Sequence, residues 1–187
     1  MAVNILGVDP GAQNFGWAAV SLEDGEISLG LCGLIQTPRS EYPGYNDYLD
    51  ACVAQITEQF PVILSLVQPD LIYSEYVPPG RLGSRSELVT AASSVAKTIA
   101  FQWGIEWHGI AASSWKKIVL DDSTATKARI RNHMLDCFPS LADRHKQQKE
   151  TQKSEGEKAT GIPQDVFDAL GVAIAGCTLN DKSDQSG

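Results

Sequence analysis

Five short segments rich in apolar residues predict five β-strands. They span residues 3–9, 16–22, 26–34, 71–76 and 106–110. The dipeptide Asp24-Gly25 separates the second segment from the third, and this dipeptide is a strong signal for a tight hairpin turn. The second and third strands are therefore expected to pair as an antiparallel hairpin.

Four longer segments carry apolar residues three or four positions apart, which predicts helices. They cover residues 46–67, 86–103 and 124–137, and a last stretch that begins near Pro163 and runs through Cys177. Three strands followed by alternating helices and strands are typical of an α/β fold. We therefore predict a mixed five-stranded sheet flanked by helices.

Three places depart from these regular patterns. Pro61 is expected to break or kink the first helix, because proline lacks an N–H group and crowds the preceding turn. The polar segment 144–160 is rich in Lys, Gln and Glu and is interpreted as a mobile loop. Residues 180–187 are expected to form a disordered tail, which leaves residues 1–179 as a single domain.

The composition agrees with one soluble globular domain. The chain has 187 residues, of which 43% are hydrophobic and 20% charged. No apolar run is long enough to span a bilayer, so we expect no membrane attachment. The cysteines are scattered without an accompanying histidine pattern, which favours buried, reduced thiols in the cytoplasm over a zinc site. They are Cys32, Cys52, Cys137 and Cys177.

The charge is unevenly distributed along the chain. The net charge of −8 argues against a nucleic-acid partner, but ten of the fifteen Lys and Arg residues lie between positions 116 and 158. That window is near +3, whereas the remainder is near −11. Such segregation can place one basic face on an acidic protein, although an ordinary solvated surface would give the same counts.

Four acidic residues occupy positions where buried elements begin or end. Asp9 and Glu75 end predicted strands, and Asp165 and Asp168 lie three apart at the start of the last helix, on one of its faces. Each has an ordinary alternative: a turn residue, a solvated strand end, a residue that favours the helix dipole, or a helix-surface acid. All four together on this topology are better explained by one site.

A cluster of carboxylates without His or Cys is typical of a site for hard divalent cations. Oxygen ligands favour Mg²⁺ or Mn²⁺, and a pair of such ions suits an in-line displacement at phosphorus. We therefore predict two Mg²⁺ or Mn²⁺ ions bound by the acids. A cation would also explain why Asp9 can end a buried strand.

The chain resembles the RuvC family of Holliday-junction resolvases, within the RNase H-like nucleases. The resemblance rests on ILGVDPG near the N-terminus, IYSE at the end of the fourth strand and DVFDALGVAIAGC in the last helix, and it is collinear from about residue 3 to residue 178. It implies an RNase H-like fold and metal-dependent cleavage of four-way DNA by paired symmetric nicks that leave 5′-phosphate ends. It also implies that the acids bind the metal and that homodimers form through the helix over 86–103.

The resemblance also suggests residues that contact DNA. Lys116, Lys117 and Lys127 match positions where the family has lysines near the scissile phosphate, and only one of Lys116 and Lys117 is expected to face the site. Tyr76 follows Glu75 and either stacks on the junction or faces the core. The loop that follows carries two further candidates, Arg81 and Arg85.

Departures from the family pattern leave other functions open. The charged segment 144–160 and the acidic balance favour a phage-encoded or organellar relative, with relaxed selectivity for branched DNA. An RNase H-type ribonuclease, a general branched-DNA nuclease and a non-catalytic junction-binding protein are the alternatives. A sugar-kinase-like ATP site would need a second glycine-rich turn, which the sequence lacks. His133 and His145 are assigned to the surface, and Trp17, Trp103, Trp107 and Trp115 to the core or an interface.

Overall fold

The computed structural model describes residues 2–11, 13–76 and 84–184, with the backbone alone for 84–86 and 182–184. Its strands are β1 Val3–Pro10, β2 Asn14–Glu23, β3 Glu26–Gln36, β4 Leu71–Tyr76 and β5 Glu106–Ala111. Its α-helices are α1 Tyr45–Val67, α2 Ser84–Gln102, α3 Ala112–Leu120, α4 Lys127–Cys137, α5 Pro139–Ser154 and α6 Gln164–Asp184. A short 3₁₀ turn, Arg39–Glu41, precedes α1.

The five strands form one mixed sheet in the order β3-β2-β1-β4-β5. The strands β1, β2 and β3 pair antiparallel, whereas β4 pairs parallel with both β1 and β5. Asp24 and Gly25 both have positive φ in the β2–β3 turn, as a tight hairpin requires. The predicted α/β fold with a mixed five-stranded sheet is confirmed.

Helices cover both faces of the sheet. Helices α1 and α2 pack on one face around Phe60 and Ile72, and α3, α4 and α6 pack on the other around Trp115 and Phe167. Because the same sheet lies between two apolar layers, β1 has buried residues on both of its faces. This burial explains why Ile5 to Val8 read as a nearly continuous apolar run.

Two glycines let α6 approach the sheet more closely than any residue with a β-carbon would allow. A β-carbon at Gly7 would lie 2.1 Å from the carbonyl oxygen of Ala169, and one at Gly16 would lie 2.2 Å from the carbonyl oxygen of Asp165. The backbone of α6 therefore rests directly on β1 and β2. This contact fixes the position of the first turns of α6 relative to the sheet.

Pro61 was expected to break or kink the first helix, and the prediction of a break is wrong. Helix α1 continues through Pro61 to Val67 and ends at Gln68, which adopts a left-handed conformation. Phe60 and Leu64 are buried against the sheet on either side of the proline. Tertiary packing of that face outweighs the cost of one lost backbone hydrogen bond.

The segment 144–160 was predicted to be a loop, but it is helical as far as Ser154, in α5. Lys, Gln and Glu are good helix formers, and α5 is held to the domain by two buried side chains, Leu141 and His145. The prediction of a tail from residue 180 is also wrong in part, because α6 continues to Asp184. Residues 185–187 lie outside the described residues.

The cysteines and the helices bear on two further predictions. All four cysteines are free thiols, as predicted, but only Cys52 and Cys177 are buried; Cys32 is half-buried and Cys137 is exposed. In the described part of the chain, every helix is too short or too polar to cross a membrane.

Candidate active site

The topology of the sheet brings the four predicted acids to one edge. Val8 of β1 pairs with Ser74 of β4, so Asp9 and Glu75 follow as neighbours at the carboxyl ends of two parallel strands. Asp9 also pairs with Gly16 of β2, and Gly16 touches the backbone of Asp165. Asp168 lies one turn further along α6. We call these residues, Asp9, Glu75, Asp165 and Asp168, the acid cluster.

The acid cluster is electrostatically coupled. Burial raises the pKa of Asp9 well above its usual value, and the negative charges of the other three acids raise it further. Burial also raises the pKa of Asp168 to about 6, with a further contribution from Glu75. These carboxylates are therefore short of compensating positive charge.

Three side chains that were not among the predicted site residues hold three of the acids in place by donating hydrogen bonds. The indole Nε1 of Trp115 donates to Oε2 of Glu75 at 2.7 Å, and Nδ2 of Asn14 donates to Oδ2 of Asp165 at 3.2 Å. Nε2 of Gln164 donates to Oδ1 of Asp168 at 3.0 Å.

Only one of these three contacts has a signal in the sequence. Gln164 lies four residues before Asp168 on a helix, which is a recognisable side-chain pairing. Trp115 was assigned to the core or an interface, and it is indeed fully buried. Its hydrogen bond to Glu75 spans 40 residues, and the bond from Asn14 to Asp165 spans 151, so neither follows from local spacing.

The structure distinguishes the two adjacent lysines of α3. The positive charge of Lys116 lowers the pKa of Asp168. The positive charge of Lys127 lowers the pKa of both Asp9 and Asp168. Lys117 instead forms an ion pair with Asp121, with Nζ 2.5 Å from Oδ1. Lys116 and Lys127 are therefore electrostatically coupled to the acid cluster, whereas Lys117 is paired with Asp121.

The remaining candidates for DNA contact are only partly visible. Tyr76 is 46% exposed, so it does not face the core and can meet a ligand beside Glu75. Arg81 lies outside the described residues. Arg85 lies in the first turn of α2, but its side chain is outside the described residues.

The acid cluster suits a divalent cation in its charge and in its type of ligand atom, although its side chains are not arranged as a complete metal site. Its donors are all carboxylate oxygens, which suits Mg²⁺ or Mn²⁺. Among the described residues, however, no group of three His, Cys, Asp or Glu side chains is arranged to hold a metal ion as it stands.

No family model matches the chain, but individual proteins do. It is 26% identical over 177 residues to the crossover junction endodeoxyribonuclease RuvC of Vibrio atlanticus, a match that covers 94% of this chain and 87% of that protein. It is 25% identical over 180 residues to the RuvC of Sodalis glossinidius, with 96% and 89% covered.

Solved structures show the same fold. The RuvC of Thermus thermophilus in complex with a Holliday junction substrate matches with a TM-score of 0.70 and 16% identity, over 97% of this chain and 96% of that one. The yeast mitochondrial Holliday junction resolvase Ydc2 matches with a TM-score of 0.63 and 11% identity, over 97% and 80%. The predicted resemblance to the RuvC family is confirmed, whereas a phage or organellar origin stays a prediction.

Proposed function

We propose that this chain, a homologue of the RuvC crossover junction endonucleases, is itself a metal-dependent endonuclease that resolves four-way DNA junctions. The observation that carries the proposal is the acid cluster, in which β1, β4 and α6 bring four carboxylates to one edge of the sheet. We propose paired symmetric nicks with 5′-phosphate ends as the products. The cytoplasm is the proposed location.

The acid cluster is proposed to hold two Mg²⁺ or Mn²⁺ ions. When bound, such ions polarise a phosphate and lower the pKa of water, which supplies the nucleophile for hydrolysis. The chain itself supplies the orientation of the ligands. Trp115, Asn14 and Gln164 each restrict the movement of one carboxylate, so less conformational freedom is lost when the ions bind.

Lys116 and Lys127 are proposed to bind the phosphates next to the cleaved bond. Both ammonium groups already interact with the acid cluster, so a phosphate drawn to them would lie beside it. Their positive charge also reduces the repulsion between the acids and the DNA backbone. Tyr76, Arg81 and Arg85 are proposed to contact the junction from the segment that follows β4.

The two lysines of α3 provide a matched pair for testing this assignment. Lys116→Ala is expected to lower the single-turnover rate of junction cleavage by roughly 10²-fold, the size of effect seen when one charge-stabilising donor is removed from an active site. Lys117→Ala is expected to stay within about threefold, because Lys117 pairs with the exposed Asp121 in a bridge of small energy. Equal losses in the two variants would contradict the assignment.

Homodimer formation is proposed through the outer face of α2, the helix that the resemblance implies for the dimer. Ala92, Ala96 and Ala100 are buried in the subunit's own core, so they cannot also contact a partner. The outer face of α2 presents Phe101, which is 59% exposed, with Nζ of Lys97 lying 5.4 Å from its ring centre. A pair of subunits joined there would carry two acid clusters, as symmetric nicking requires.

Cleavage of a labelled, immobile four-way junction in the presence of Mg²⁺ tests the proposed function. We expect paired nicks at symmetric positions of two opposite strands and at least about 100-fold slower cleavage of the matching linear duplex, since a structure-selective enzyme loses binding energy on the wrong shape. Preferential cleavage of an RNA–DNA hybrid would support the RNase H-type alternative. Tight junction binding without cleavage, with Mg²⁺ or with Mn²⁺, would leave a non-catalytic binding protein.

A further inference from the structure

Helix α5 places one buried histidine against the segment that leads into α6. His145 was predicted to be a surface residue, but it is only 5% exposed. Its Nδ1 accepts a hydrogen bond from the backbone N–H of Ile162 at 3.0 Å. Ile162 lies two residues before the start of α6 and three before Asp165, so the imidazole touches the chain just ahead of the acid cluster.

Further close contacts surround the hydrogen bond between His145 and Ile162. Oε1 of Gln152, further along α5, accepts the neighbouring N–H of Gly161 at 2.8 Å. Gly161 has a φ of +69°, and a β-carbon there would lie 2.6 Å from the imidazole ring. The ring of Phe167, in the first turns of α6, meets the imidazole edge to face with the ring centres 5.7 Å apart.

The hydrogen bond defines the form of the histidine. Because Nδ1 accepts, the ring is neutral and carries its proton on Nε2. Burial lowers the pKa of His145, and the positive charges of Lys149 on α5 and Arg131 on α4 lower it further. A neutral acceptor is therefore maintained beside Ile162.

We propose that His145 is a positioning residue that fixes the first turns of α6, and with them Asp165 and Asp168, through the backbone of Ile162. The proposal rests on the proposed function of the acid cluster. Without the acceptor, a buried N–H group would be left unpaired and the entry to α6 would shift to find another partner. Displacements of about 1 Å at catalytic groups can lower rates by roughly 10²-fold.

Two substitutions separate positioning from general packing. Asn places its Oδ1 as many bonds from the backbone as Nδ1 of His, so His145→Asn keeps the acceptor, whereas His145→Leu fills similar space without one. We expect His145→Leu to raise the Mg²⁺ concentration at half-saturation about tenfold and to lower kcat by about 10- to 100-fold, with KM for the junction unchanged. We expect His145→Asn to restore both values to within about threefold of the original.

Mg²⁺ binding is measured by titration calorimetry and cleavage by steady-state kinetics, with circular dichroism of each variant as a check on folding. Gln148→Leu, at an exposed position of the same helix, is the control. If His145→Leu does not fold, Gln152→Ala removes the second acceptor of the same segment and is expected to shift the Mg²⁺ half-saturation in the same direction. Equal losses with Leu and Asn, or no change in Mg²⁺ binding with Leu or with Gln152→Ala, would overturn the proposal.

The Mg²⁺ measurement does not depend on cleavage. A protein that binds Mg²⁺ but cuts no junction would overturn the proposed function and still allow the His145 variants to be compared. A failure of the positioning proposal is therefore distinguishable from a failure of the proposed function.

Discussion

Asp9→Asn is expected to lower the single-turnover rate of junction cleavage by at least about 10³-fold, while the affinity for the junction stays within about threefold. The pKa of Asp9 is raised by burial and by all three other members of the acid cluster, so a cation bound by Asp9 would be attracted by all four carboxylates. An amide keeps the shape of the side chain but removes the charge, and bound cations contribute several kcal/mol to phosphoryl transfer.

The experiment pairs this variant with Asp24→Asn as its control. Asp24 lies in the β2–β3 turn with a φ of 51°, a conformation that Asn adopts readily, so its replacement changes the net charge equally without touching the acid cluster. Cleavage and binding are measured on the same labelled junction. If Asp9→Asn retained more than about a tenth of the cleavage rate, the acid cluster would not be the active site.

Asp168→Asn is expected to stabilise the metal-free protein at pH 8 by up to about 2 kcal/mol, even though it should abolish cleavage. Burial, and then the charge of Glu75, raise the pKa of Asp168 to about 6 from an ordinary 3.8, and each unit corresponds to about 1.4 kcal/mol before allowance for its partial exposure. Folding therefore requires an unfavourable buried charge at pH 8. The amide removes that charge and can still accept the hydrogen bond from Gln164.

The pH dependence of this effect follows from which state binds the proton more tightly. The folded state holds a proton on Asp168 up to about pH 6, whereas the unfolded state releases it near pH 3.8. The original protein should therefore gain stability relative to Asp168→Asn mainly as the pH falls below about 6, and the difference should vanish by about pH 4. Urea unfolding in EDTA at pH 8, 6 and 4.5 measures it.

Added Mg²⁺ should reverse the order of stability. A ligand that binds only the folded state stabilises it, so Mg²⁺ should raise the stability of the original protein more than that of the variant with three acids. If Asp168→Asn were less stable than the original protein in EDTA at pH 8, Asp168 would not carry the unfavourable buried charge described above.

The parts of the fold with strong apolar patterns could be predicted from the sequence, and the parts without them could not. The strands β1 and β4 have contiguous buried residues, so their existence and their terminal acids are visible in the sequence. Helix α5 has only Leu141 and His145 as buried residues among polar neighbours, so its pattern is indistinguishable from that of a solvated loop. The continuation of α1 through Pro61 depends on packing against the sheet, which no local rule contains.

The acid cluster could be proposed from residue type and position, but its surroundings required three dimensions. Adjacent residues on a helix point about 100° apart, so only one of Lys116 and Lys117 can face the acids, and the choice depends on how α3 is rotated. The rotation is fixed by Trp115, which is buried and hydrogen-bonded to Glu75. The role of Trp115 and that of His145 both depend on contacts between elements distant in sequence.

Because α6 packs on β1, the acid cluster can be completed only late in the synthesis of the chain. Asp165 and Asp168 are synthesised more than 150 positions after Asp9, which at about 5–20 residues per second is a delay of roughly 10–30 s. Because α6 also supplies much of the apolar layer on its face of the sheet, a nascent chain that lacks it has neither that layer nor a complete set of acids. If the acid cluster is the active site proposed above, an unfinished chain that lacks α6 is expected not to cut DNA, and cleavage is expected only after α6 has docked.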